Sequence, residues 1–467
     1  MTEAIVVGAG PNGLAGAITL ARQGVSVTVI EAADAPGGGA RSSELTLPGL
    51  IHDHCSAVHP LGVGSPFMQT IEGIEWTWPE IDLAHPLDSG SAGIMRRSVE
   101  MTARGLGVDG SAWCRLFGPL AANFDALAED LLQPLLHLPR HPLLTANYGT
   151  RALLPATLLA RRWATPEAQA LFGGAAAHLF HPLTQPTSAG LGMMMVASGH
   201  RYGWPVAVGG SQAITDAMVT TLESLGGTVV VGSKVESISE LGSPAIVLLD
   251  TSPSSASEIL GNRLHPRIAR AYRRYRQGSA AFKVDFAIDG DIPWRNEDCR
   301  RAGTLHLGGD FPEIVATEAE IHRGRMPERP FVLVGQQYLA DPTRSKGTLH
   351  PVWAYAHVPA GFPGDATEAV VRQIERFAPG FRDQIVAVTH RSTKDLAAYD
   401  SNYVGGDIIG GANSPRQLVF RPRVAANPYR TGVKGVYLCS ASTPPGAGVH
   451  GMCGYNAARS ALRDLVG

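Results

Sequence analysis

Lysine is scarce in this chain. Its 467 residues hold five, at positions 234, 283, 346, 394 and 434, so arginine supplies nearly all the basic charge. With abundant alanine, glycine and proline, that bias points to a GC-rich coding sequence rather than to a function. Charged residues make up only 17% and the formal net charge is −2, which leaves no basic surplus for gripping nucleic acid. The cysteines (55, 114, 299, 439 and 453) are odd in number and form no CxxC pair. A disulfide framework is not expected, and a reduced, cytoplasmic setting is. No run of eighteen apolar residues is present, so no membrane-crossing helix is expected. The first apolar strand begins at about residue 4, so no signal peptide is expected. No Ser/His/Asp order and no P-loop occurs, and the histidine pairs at 52–54 and 137–141 lack metal-ligand spacing. No metal is expected.

What the chain does have is concentrated at its start. Residues 4–31 read AIVVGAGPNGLAGAITLARQGVSVTVIE: an apolar strand, a glycine turn, a helix, a second apolar strand and a terminal acid. In this βαβ context the glycines acquire distinct tasks. Gly8 permits the tight turn, Gly10 lets the backbone approach a pyrophosphate, and Gly13 lets helix and strand pack closely. The helix N-terminus offers free N–H groups and partial positive charge to phosphate. Glu31 can accept hydrogen bonds from a ribose diol and would repel a 2′-phosphate, which disfavours NADP.

At this length and 44% hydrophobic content, two domains are expected. Residues 35–41, APGGGAR, form a second glycine turn. The segment 113–163 reads as helices broken by prolines, with apolar runs at 131–138 and 151–163. Its charges are few and form no basic face, so it is read as core or as the wall of an apolar tunnel, with membrane contact the lesser alternative. Residues 206–238 give a glycine turn, an amphipathic helix and a strand, and 244–253 a short buried strand. Residues 282–290, 330–338 and 350–359 read as strands of a second sheet, and 367–381 as an amphipathic helix. The last 35 residues return to strand, glycine loop and helix.

The combination of VVGAGPNGLAGAITLARQGVSVTVIE, PGGGARSSELTLPGLIHDHCSAVHPL, GWPVAVGGSQAI, GGDIIGGANSPRQLVFRP and GVYLCSASTPPGAGVHGMCGYNAARSA resembles the phytoene-desaturase-related FAD-dependent oxidoreductases. That group includes relatives of pyridine nucleotide-disulfide oxidoreductase domain protein 2. The resemblance covers essentially the whole chain. It implies an α/β fold: a glutathione-reductase-type FAD-binding Rossmann domain built from separated segments, plus a substrate domain of mixed sheet and helices, as in amine oxidases. The implied order is FAD domain 1–90, helical substrate part 91–203, FAD domain 204–260, sheet part 261–405 and FAD domain 406–467.

Carried over by residue, Gly8, Gly10, Pro11, Asn12 and Gly13 hold the diphosphate, and Glu31 with Ala32 the adenosine ribose. Gly38, Gly39 and Arg41 line the second phosphate-side turn. Val235 presents backbone to adenine, and the strand ending at Asp250 and Thr251 passes close by. Ser440 and Ala441 approach the ribityl chain, and Gly448, Val449, His450 and Gly451 meet the flavin ring. A helix N-terminus there stabilises negative charge on the reduced ring. The chain departs from the family in a shortened hairpin before Asp250 and in GGGAR where RxGGR is usual.

Two residues are candidates for chemistry. Lys283 lies in GSAAFKVDFAIDGDIPW, a segment that resembles the amine-oxidase stretch whose lysine holds a water at flavin N5 and assists reaction with oxygen. His450 lies in the loop expected at the ring, where it could orient substrate or carry a proton. His59, Tyr202 and Trp204 are weaker substrate-side candidates. The resemblance implies FAD as cofactor and hydride transfer with an apolar, isoprenoid- or lipid-like substrate, by a desaturase, dehydrogenase or oxidase using oxygen or quinone. Amine or alcohol oxidation, redox-neutral isomerisation and a non-catalytic binding role are the alternatives. Peripheral membrane contact and a homodimer both stay open.

Overall fold

In the computed structural model, which describes residues 2–466, the chain builds two sheets. The first has five parallel strands in the order Val436–Leu438, Ile246–Leu249, Glu3–Val7, Ser26–Ile30 and Thr228–Val230. Three distant parts of the sequence thus meet in one sheet. The strands are short, apolar runs, as expected of a parallel sheet covered on both faces. Helix Pro11–Ala21 follows the first strand, and the C-terminal helix Met452–Val466 packs against it. That contact is close because Gly454 has no side chain: a Cβ there would lie 1.7 Å from the Asn12 carbonyl oxygen.

The second sheet has seven strands in the order Ile385–Arg391, Ala280–Asp289, Leu349–Val358, Val332–Gly335, Ala302–Leu307, Ile81–Pro86 and Ala92–Met95. All pairs are antiparallel except Ala302–Leu307 with Ile81–Pro86. Strand Ile81–Pro86 falls before the boundary at 90 read from sequence, yet it pairs in this sheet. Its run IDLAHP is buried throughout, so periodicity alone did not separate it from the first sheet's strands.

Strand alternation divides the second sheet into two chemistries. One face turns Phe282, Val284, Phe286, Leu305, Leu307, Val334 and Ala354 into an apolar core under helix Thr367–Phe377. The other carries Lys283, Asp285, Trp353, Tyr355, His357 and His306. Helix Pro166–Ala177 lies on the far end of this second face, against strands Ile81–Pro86, Ala92–Met95 and Ala302–Leu307. Its small-residue run FGGAAA permits the approach. A Cβ on Gly174 would lie 2.5 Å from His306 Nδ1 and 2.9 Å from His85 Nδ1.

The segment 113–163 does two things. Trp113, Phe117 and Trp163 join Phe172 in a buried aromatic cluster, as a core reading expects. The leucines at 135, 136, 138, 143, 153 and 158 are instead exposed. No described helix is long and apolar enough to cross a membrane.

Candidate functional site: a nucleotide cradle beside a buried lysine

The cradle forms where the first strand turns into helix Pro11–Ala21. Gly8 has φ +101°, a conformation that favours glycine, and a Cβ on it would meet the Asp250 carbonyl at 2.9 Å. A Cβ on Gly13 would lie 2.0 Å from the Gly8 carbonyl, and one on Gly10 would lie 2.9 Å from Asp250 Oδ2. Pro11 occupies the first helical turn, where its missing N–H costs no hydrogen bond. Glu31 turns back on the loop and accepts hydrogen bonds from Ala9 N (2.7 Å) and Ala33 N (2.8 Å), with Ala32 exposed beside it. Ser233 N donates to the Glu31 carbonyl, which brings the 228–235 segment alongside. Val235 itself is buried against the first sheet.

The second glycine turn closes on the first. Gly37 N donates to the Ala9 carbonyl at 2.9 Å, and a Cβ on Gly38 would stand 3.2 Å from Gly10 Cα. Gly39 faces the Tyr403 hydroxyl so closely that a side chain there would collide with it. Arg41 points along this turn: Nε donates to the Gly38 carbonyl and to Tyr399 Oη (2.8 Å), and its guanidinium stacks 4.1 Å from the Tyr399 ring centre.

Three buried polar atoms near the cradle, Asn12 Oδ1, Thr251 Oγ1 and Asn402 Oδ1, have no protein partner. Bare glycines and unpartnered polar atoms in one place fit the diphosphate and ribose of FAD. Asp250, expected close by, closes on the first glycine turn. Its carboxyl accepts from Gly13 N at 2.8 Å, and burial pushes it up to about 8, aided by the Asp400 and Glu31 charges.

Lys283 stands on the second sheet, next to this turn. It is 2% exposed and ion-paired with Asp285, two residues along the same face. Asp285 also faces His52 Nδ1 at 3.4 Å. Burial pulls the Lys283 ammonium below the ordinary lysine value while Asp285 opposes the fall. Burial would raise the Asp285 carboxyl, but the Lys283 charge and the His52 hydrogen bond hold it below its ordinary value. A small cavity of about 10 Å³ lies at the lysine, bounded by Cys55, Ala281, Trp353, Tyr355, Leu396 and Ile408.

The cross-strand register extends this site into a row. Arg391, Lys283, Tyr355, Leu333 and His306 are successive partners across five strands. His85 follows on the sixth strand, its ring 6.5 Å from that of His306. His306 meets His178 nitrogen to nitrogen at 2.9 Å, and His357 Nδ1 bonds Glu318 at 2.7 Å. Phe180 stacks on His357 at 3.8 Å from a left-handed backbone, φ 53°. Burial lowers His178 to about 3 and His85 to about 4, so these rings are neutral. No group of three or more His, Cys, Asp or Glu in the described residues is arranged to hold a metal ion.

The C-terminal loop lies against the first sheet's helices. Ser440 and Ala441 follow the last strand, and Arg421 Nη1 donates to the Ala441 carbonyl. Gly448 is exposed, with Val449 part-buried beside Gly62, and Gly451 sits against Phe67 and Ala15. His450 is buried and caps the final helix, its Nδ1 accepting from Met452 N at 3.0 Å. Burial lowers it to about 4, against the pull of the Ala447 and Gly446 carbonyls. Its ring is committed to backbone. His59 bonds Ser211 Oγ at 2.9 Å, deep between the cradle segments. Tyr202 lies away from the row, bonded to Gln69 and Asp125 near the surface. Trp204 joins the row, edge-on to His178 and His306, with Nε1 unpartnered.

Sequence reasoning missed the groups that only pairing reveals. Arg344 binds Asp53 (2.5 Å), Asp341 (3.0 Å) and the Ala207 carbonyl (2.8 Å), a buried knot between the domains. Tyr399, at the end of helix Thr393–Tyr399, and Asp400 and Tyr403, in the turn that follows it, carry no motif signal. The alternation of FKVDF could have flagged Asp285 as sharing the lysine's face.

Fold and cradle together define the class by architecture: a Rossmann-like nucleotide-binding domain, with a cradle that fits FAD, joined to a mixed-sheet domain. Residues 6–70 match the NAD(P)-binding Rossmann-like domain. Along 99% of its length the chain is similar to pyridine nucleotide-disulfide oxidoreductase domain-containing protein 2 of Mus musculus, at 25% identity and covering 94% of that protein. A 41-residue stretch, 9% of this chain and 8% of the other, is 58% identical to hydroxyneurosporene desaturase of Rhodobacter capsulatus. Among solved structures, cyclohexylamine oxidase from Brevibacterium oxydans shares the fold over 100% of both chains, with TM-score 0.59 and 16% identity.

Proposed function

We propose that the protein removes hydride from a carbon of an apolar, isoprenoid- or lipid-like substrate and passes the electrons to oxygen or a quinone. The observation that carries this reading is Lys283: one buried ammonium, paired and desolvated, in a cavity otherwise walled by Trp353, Tyr355, Leu396, Ile408 and Cys55. Bound FAD would supply the two-electron acceptor. Gly8, Gly10, Gly13 and Glu31 would hold its diphosphate and adenosine ribose, leaving the inner sheet face to order the substrate. Tyr355 and Trp353 would exclude water from the reacting carbon. The Lys283 ammonium would stabilise negative charge developing on the acceptor side, where low dielectric strengthens it. Trp353 and Tyr355 meet edge to face at 88°, closing a wall rather than opening a parallel aromatic slot for an amine.

The test is the visible spectrum of the FAD-loaded protein, reduced anaerobically and then opened to air. Colour that returns within seconds, with peroxide, supports oxygen as acceptor, and in Lys283→Met the return slows by about 10²-fold. Bleaching that persists in air until a quinone is added supports the quinone. A protein that never takes up FAD would overturn the reading.

A further inference from the structure

The exposed side of segment 110–163 carries both unsatisfied charge and unsatisfied apolar surface. Arg115, Arg151 and Arg162 converge on a surface cavity of about 390 Å³, lined also by Ala112 and Leu116. None of the three has a carboxylate within 4.0 Å among the described residues. Among the described residues Arg115 reaches only Ser111 Oγ (3.2 Å) and Arg151 only Asn147, while Arg162 makes no side-chain hydrogen bond. Neighbouring arginines of the same region are paired: Arg140 with Glu129 at 3.1 Å and Arg201 with Asp125 at 2.9 Å. Crowding is evident at Arg162, whose guanidinium is pulled below its ordinary value first by burial and then by the charges of Arg151 and Arg115. Like charges gathered without a counter-ion are destabilising unless an anion joins them.

The apolar part adjoins them in the chain. Leu138 is 94% exposed and Leu143 87%, at the entry to helix Pro142–Ala152. Leu153 and Leu158 are exposed between Arg151 and Arg162, and Leu135 and Leu136 extend the stretch. Single exposed leucines are ordinary, but six within about two dozen residues, beside three unpaired arginines, are not.

We propose that this face docks on an anionic phospholipid bilayer, with Arg115, Arg151 and Arg162 holding lipid phosphate and the exposed leucines entering the acyl boundary. Guanidinium forks match phosphate oxygens in pairs. Leucine and arginine together are the pairing an interfacial segment requires. A free phosphate metabolite would explain the arginines but not the leucines, and a second copy of this chain would bring three more arginines to the same place. The inference stands apart from the redox reading, since it uses none of the cradle or lysine residues.

The full-length protein is mixed with vesicles of phosphatidylcholine alone and of phosphatidylcholine with phosphatidylglycerol, then sedimented at low and high salt. Binding is expected only to the anionic vesicles and falls as salt rises. Arg115→Gln, Arg151→Gln and Arg162→Gln each weaken it about five-fold. Leu138→Ser with Leu143→Ser weakens it on anionic vesicles while the salt dependence stays. All five side chains are on the surface, and an unchanged circular dichroism spectrum confirms folding of the variants. Equal binding to both vesicles, or a triple arginine variant that binds as the parent does, overturns the proposal. So does saturable binding of inorganic phosphate without any vesicle binding, which assigns the arginines to a soluble ligand. A dimer that the leucine variants turn into a monomer, without vesicle binding, assigns the face to a second copy.

Discussion

Lys283 and Asp285 stand two positions apart on one strand, and their mutual burial sets what either can do alone. Removing the lysine leaves a buried carboxylate with only His52 for a partner. Lys283→Met is therefore expected to cost about 3–5 kcal/mol, and Lys283→Met with Asp285→Asn less than the single change; urea unfolding of both variants checks this. Asp250 makes a second prediction. Its carboxyl is pushed up to about 8 when folded, against 3.8 as its ordinary value. Between those values the folded chain holds a proton that the unfolded chain has released, so stability falls as pH rises from about 4 to 8. Below this window the difference vanishes, and above it the loss is complete. Asp250→Asn keeps the side chain's shape and removes the titration. Its melting temperature is expected to depend less on pH and to exceed that of the parent at pH 8.5. A diphosphate beside Asp250 also favours the protonated carboxyl, so FAD affinity, measured by calorimetry, is expected to decline above pH 8 in the parent and not in the variant.

At the scale of elements, close approach decides where glycine is required. In an exposed helix Gly→Ala would stabilise by about 1 kcal/mol. At Gly174 the sign reverses, because the added carbon meets two imidazoles held in neighbouring strands. Gly174→Ala is expected to destabilise by about 1–3 kcal/mol, read as a lowered melting temperature, whereas Gly149→Ala, on the open side of helix Pro142–Ala152 with nothing within 4 Å, is not. The parity of a strand works in the same way. FKVDF alternates, so its polar members share one face. What that face meets was not legible, because Tyr355, His306 and His178 lie far off in sequence and arrive through register and helix packing. The βαβ unit was the most readable element because its turn, helix and acid are local to each other. The leucines at 135, 136, 138, 143, 153 and 158 were the least: their pattern suits burial, and the fold leaves them exposed.

For the whole molecule, Arg344 is a buried tie between the two domains, beside those of Arg41 with Tyr399 and His52 with Asp285. It ties Asp53 and the Ala207 carbonyl, from cradle-side segments, to Asp341 beside the second sheet. Arg344→Met is expected to destabilise by about 3–5 kcal/mol through the stranded Asp53 and Asp341 carboxylates. Fluorescence and circular dichroism are expected to follow one unfolding transition in the parent and two in the variant, as the domains separate. The cradle glycines, Glu31 and the βαβ unit that holds them were determined by the sequence itself, because each is set by local geometry: a turn that admits no Cβ, a helix end, a strand's period. The ion pair at Lys283, the commitment of His450 to capping the last helix, the histidine row and the arginine-leucine face were decided only by the tertiary structure. Those depend on which distant side chains become neighbours, and a one-dimensional pattern does not encode the register of seven strands or the direction in which a buried charge finds its partner.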